Sequence, residues 1–136
     1  MKREKALSVS LVAIILGVIL VIGVIFLLDL IGDRWIKDKR GIWIKQGEPK
    51  ETPQEVLRQQ EAIKLAMELY EKEKASGNIL TSQCLGTINR YAIDIVHNPR
   101  SQEDNLLQNQ CKDFYEGRVS KFIEIDAEGG IRRVYD

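Results

Sequence analysis

The sequence predicts an α+β protein, with an N-terminal transmembrane helix followed by a small domain. In that domain one long helix packs on a three- or four-stranded antiparallel sheet. Three observations predict this. Residues 6–28 are apolar and carry no charge. Residues 54–76 repeat apolar side chains at helical spacing between a proline and a glycine. From Tyr91 onward, β-rich runs alternate with stretches of Gly, Pro, Asn and Asp. The organisation that follows is a basic tail over 1–5, a transmembrane helix over 6–28, a juxtamembrane linker over 29–50 and a small α+β domain over 51–136.

The apolar run holds 23 uncharged residues, and Ser8 and Ser10 are its only polar side chains. As a helix it extends roughly 34 Å, enough to cross a hydrocarbon core of about 30 Å. Val and Ile dominate it, yet in lipid the backbone must satisfy its own hydrogen bonds, so helix prevails over strand. A cleaved secretory signal is the rival reading. Its apolar region would be shorter and would end at small residues, whereas this run ends Phe26-Leu27-Leu28-Asp29.

Lys2, Arg3 and Lys5 precede the span and are assigned to the membrane interface, as is Trp35 just beyond it. Five Lys/Arg follow between Arg34 and Lys45, which by count alone would hold the C-terminal side in the cytoplasm. However, Asp29 and Asp33 are the first charges after the span, and the five-residue tail carries three positives. The favoured orientation is N-terminus inside, domain outside. Gly41, Gly47, Pro49 and Pro53 mark the connector, with a short strand expected at 42–45.

In the domain, Thr52 is placed to cap a helix, Pro53 to occupy its first position and Glu55 to close a capping box, with Gly77 as the stop. Val56, Ile63, Ala66, Met67 and Tyr70 form its apolar stripe. Gln59 and Gln60 break any heptad, which favours packing on a sheet over a coiled coil. Strands are expected at 91–97, 119–125 and 131–135, the last two joined as a hairpin by Asp126–Gly130. A short helix is expected to start near Ser101, and another to place Cys111, Phe114 and Tyr115 on one face.

Cys84 and Cys111 are the only cysteines. The favoured reading is a disulfide in an oxidising compartment, with free buried thiols or a catalytic thiol as alternatives. The most distinctive polar surface is the segment holding His97, Asn98, Arg100, Asn109 and Gln110. Its amides and arginine suit recognition of a peptide or carboxylate, and equally suit a loop tied by its own turns. His97 is the only histidine, so a His-dependent enzyme would have to use it. No metal site or cofactor is expected, because one His and two distant Cys do not make a zinc set and no phosphate-binding glycine loop is present.

The 20 Lys+Arg balance 20 Asp+Glu, which excludes nucleic-acid binding driven by phosphate neutralisation. The tail carries +2 and residues 29–136 carry −2. The stretches Asp94–Arg100, Asn109-Gln110-Cys111 and Phe122–Asp126 resemble uncharacterised small single-span membrane proteins of prokaryotes, a likeness over 84–136 that implies no activity. The order of basic leader, apolar helix and small head with two late cysteines also resembles type IV pilins, although no Glu stands five positions into the helix.

The expected function is therefore a single-span anchor with an extracytoplasmic binding or scaffolding domain and no catalysis. Its expected partners are the lipid bilayer and a protein in or at the membrane. The alternatives are a pilin-like filament subunit, a cytoplasmic-facing membrane accessory subunit and an enzyme using His97.

Overall fold

The computed structural model describes residues 2–30 and 32–136, with side chains described for 11–28 and 32–136. The chain is an α+β protein. Helix α1 (Lys2–Leu30) contains the apolar window Leu11–Leu28, whose side chains are exposed on every side. A helix apolar all round and long enough to span fits a bilayer better than water. The side chains of Lys2, Arg3 and Lys5, assigned to the interface, lie outside the described residues.

The connector, in which one short strand is expected at 42–45, makes an antiparallel hairpin, β1 (Arg34–Lys37) and β2 (Trp43–Gln46). This hairpin belongs to the domain. The N–H of Val134 donates to the carbonyl of Arg40 at 2.7 Å. Gln59, fully buried, accepts from the Trp43 N–H at 2.8 Å and donates to the Gly41 carbonyl at 2.9 Å.

Helix α2 spans Gln54–Ala75. Pro53 itself is the N-cap, with ψ 151°, and no side chain caps the helix. The expected Thr52 cap is thereby displaced. The extended ψ of Pro53 starts the helix one residue later, and the Thr52 hydroxyl falls outside capping reach. At the other end Gly77 adopts φ +78°, its N–H bonds the Lys74 carbonyl and the Asn78 N–H bonds the Glu73 carbonyl. Those two bonds close a Schellman motif.

The main sheet has the order β3-β4-β5-β6, with β3 at Gln83–Ile88, β4 at Tyr91–Val96, β5 at Lys121–Asp126 and β6 at Ile131–Tyr135. It is mixed, not antiparallel throughout, because β4 and β5 run parallel. A parallel pair needs a crossover of a dozen residues or more. Here it is residues 97–120, two 3-10 turns and the short helix α3 (Lys112–Tyr115). One sheet face packs on α2, where Ala62, Ala66 and Tyr70 meet Ile93, Ile95, Ile123 and Ile125. The crossover covers the other face. Strand β4 is therefore covered on both faces: Asp94 is half-buried and its other residues are buried.

Candidate functional site

The crossover face of the sheet carries an unusual row. In register across the four strands stand Cys84 on β3, Asp94 on β4, Glu124 on β5 and Arg133 on β6. Apolar residues would normally fill such a covered face. Each polar member is matched instead. Glu124, buried, pairs with Arg133 at 3.0 Å and with Arg100, which the crossover lowers onto it. Removing one partner of such a buried pair would leave a charge uncompensated.

Cys84 and Cys111 form a disulfide. The bridge ties edge strand β3 to the start of α3, so it fastens the crossover over the sheet. Cys84 is exposed whereas Cys111 is 1% exposed. Asp94 lies under the bridge. Its Oδ1 accepts the Cys111 N–H at 3.0 Å, and its carboxylate and the two sulfurs lie within 4.8 Å of one another. Burial pushes the Asp94 carboxyl up to about 6; the Cys111 N–H opposes that shift and the nearby Glu124 charge adds to it. Asp94 also lines a cavity of about 100 Å³ shared with Arg100, Asn109, Gln110, Glu124 and Arg133. These three groups do not form a metal set while the sulfurs are bonded to each other, since the metal ligand is the thiolate.

The loop singled out as a binding surface directs its polar groups inward. The buried carboxylate of Asp104 accepts the N–H of His97 at 3.1 Å, the N–H of Ser101 at 2.7 Å and the His97 ring at 2.9 Å. Burial pushes this carboxyl up, but these donors outweigh it and hold it at about 2. Arg100 donates to the Asn105 side chain and the Asp104 carbonyl, and Asn109 to the Glu103 carbonyl. Asn98 is exposed and opens a cis Asn98–Pro99 peptide. Gln110, half-buried, reaches the Asp104 carbonyl at 3.5 Å.

His97, Ser101 and Asp104 thus meet, but not in a nucleophilic arrangement. Ser101 Oγ and Asp104 Oδ1 both approach Nδ1, each at 2.9 Å. The nitrogen that donates to Asp104 is unavailable as a base for Ser101, and a triad needs the two partners on opposite ring nitrogens. The carboxylate partner of His97 is Asp104, seven positions on, brought back by the turn.

Trp35 is half-buried in β1, and its indole N–H donates to the Glu51 carbonyl at 3.0 Å with Lys45 over the ring. That donor is spent inside the domain. A feature that sequence reasoning missed lies at the β3–β4 turn. A concavity of about 540 Å³ is lined by Arg58, Glu61, Asn89, Arg90, Tyr91 and Lys121. Among the described residues, no ion pair engages Arg58, Arg90 or Lys121. They come from α2, the turn and β5, so no local pattern in the sequence joins them. No protein family, curated protein or solved structure matches the chain.

Proposed function

We propose that this chain is a single-span membrane protein whose domain lies outside the cytoplasm and binds a carboxylate-bearing protein partner, without catalysis. The observation that carries the reading is the join of a helix with an uncharged, exposed apolar window, Leu11–Leu28, to a disulfide-bonded head. The helix supports an anchor. The disulfide supports an oxidising compartment, where such bridges persist. The concavity of Arg58, Arg90 and Lys121 supports the chemistry of the partner, since arginine suits bidentate carboxylate recognition. The His97–Arg100 loop is spent on its own bonds and serves as scaffold.

Alkaline carbonate extraction of membranes tests the anchor: the chain stays in the pellet, and its release into the supernatant would overturn that part. The partner chemistry is tested by titrating the full chain in detergent micelles with a synthetic oligoglutamate peptide. Binding weakens with added salt and falls about tenfold in Arg58→Gln or Arg90→Gln, the loss of a single charge-assisted contact. Equal binding by these variants and the parent chain would remove the concavity from the reading.

A further inference from the structure

We propose that the Cys84–Cys111 disulfide exchanges with an external dithiol, with Cys84 as the attacked sulfur, Cys111 as the leaving sulfur and Asp94 as the group that protonates it. This goes beyond the binding role and does not rest on it. Three observations converge. The two cysteines differ sharply in exposure, Cys84 exposed on an edge strand and Cys111 1% exposed. A carboxyl lies within 4.8 Å of both sulfurs and is anchored to Cys111 by its N–H at 3.0 Å. That carboxyl has no ion-pair partner among the described residues, unlike its row neighbour Glu124, which takes both Arg100 and Arg133. One N–H holds this half-buried carboxyl beneath the bridge, and no cation among the described residues neutralises it, so its ionised form is disfavoured there.

The chemistry is thiol–disulfide exchange. A thiolate of the external dithiol attacks Cys84 Sγ, forming a mixed disulfide and breaking the Cys84–Cys111 bond. The electron pair of that bond leaves on Cys111 Sγ, which takes the proton of Asp94. The second thiol of the partner, giving up its proton to the Asp94 carboxylate, attacks its own sulfur in the mixed disulfide and expels Cys84 as a thiolate, which is protonated from solvent. Two electrons pass from the dithiol to the head, so the partner ends as a disulfide and Cys84 and Cys111 as thiols.

The protonation state of Asp94 sets the rate of the first step. Protonated, it neutralises the leaving thiolate; ionised, it repels it. The groups facing Asp94 are Glu124 from β5, Arg133 from β6, and Arg100 and Asp104 from the crossover. The Glu124 charge raises the Asp94 carboxyl and the Arg100 charge lowers it, while burial is the largest effect and places it near pH 6.

The test uses the full chain in detergent micelles and dithiothreitol as the dithiol. Reduction is followed by quenching with acid and alkylation between pH 5 and pH 8, with near-ultraviolet circular dichroism recording whether the fold persists. Expressed per dithiothreitol thiolate, the rate constant of the parent chain falls about tenfold or more from pH 5 to pH 8, and Asp94→Asn shows no such fall. Identical profiles for the two proteins, or reduction only in step with loss of the fold, would overturn the proposal. A second measurement separates the sulfurs. With oxidised glutathione, Cys111→Ser forms a mixed disulfide at Cys84 in the folded head and Cys84→Ser forms none at Cys111. The reverse order of reactivity would overturn the assignment of roles. Should either serine variant fail to fold, the Asp94→Asn profile decides alone.

Discussion

Asp94 and Gln59 show what single residues do here. Asp94 titrates near 6 in the folded head, because burial outweighs the bond from the Cys111 N–H. From about pH 4 to pH 6 the folded chain holds a proton that the unfolded chain has released. Stability therefore falls as pH rises through that window. Asp94→Asn is expected to match the parent chain at pH 3 and to exceed it by about 3 kcal/mol at pH 8 in urea unfolding. Asp104 acts in the opposite sense. Held at about 2, it contributes stability above the ordinary carboxylate range that is lost as pH falls toward 2. Gln59 is 0% exposed and bonds Trp43 N–H, the Gly41 carbonyl and Asp136 Oδ2. Gln59→Leu strands those groups and costs about 2–4 kcal/mol, again read by urea unfolding. In the sequence Gln59 only interrupts a heptad and Asp94 only alternates along a strand. Their roles depend on partners 16 or more positions away in the chain, which no local pattern carries.

Elements bounded by local signals were legible, and those bounded by long-range pairing were not. The limits of α2 came from Pro53 and Gly77, residues whose backbone preferences act alone. Gly77 has open space around a would-be Cβ, so Gly77→Ala is opposed only by its φ of +78° and is expected to cost about 1 kcal/mol. Strand β3 escaped notice. A bulge at Gly86 breaks its alternation, and its turn places Asn89 and Arg90 at positive φ, where Asn-Gly is the usual signal. The hairpin β5–β6 was legible through its glycine-containing loop. The parallel pairing of β4 and β5 was not, since the crossover between them holds only short helical turns. The bridge fastens this crossover. Its loss in the double Cys84→Ser, Cys111→Ser variant is expected to cost about 3–4 kcal/mol in the chain-entropy model, measured by urea unfolding.

At the scale of the molecule, the zero net charge divides into a basic N-terminal end and a mildly acidic remainder on either side of the uncharged run 6–28 within α1. The covered row of Cys84, Asp94, Glu124 and Arg133 shows why the candidate site was only half visible. Its cysteines stood out in the sequence, but register across four strands was needed to bring the acid and arginine beside them. The loop that looked most like a binding surface is spent on holding the crossover, and the open cations lie at the other end of β4.

The proposed topology places the disulfide-bonded head outside the cytoplasm on a single anchor. Intact cells expressing the chain, treated with the poorly permeant reductant tris(2-carboxyethyl)phosphine and then a membrane-impermeant maleimide, test it directly. Cys84 is expected to be labelled in intact cells, and only after reduction, whereas Cys111, 1% exposed, is labelled only once the head is unfolded. Labelling that needs no reductant and occurs only once the membrane is breached would contradict it.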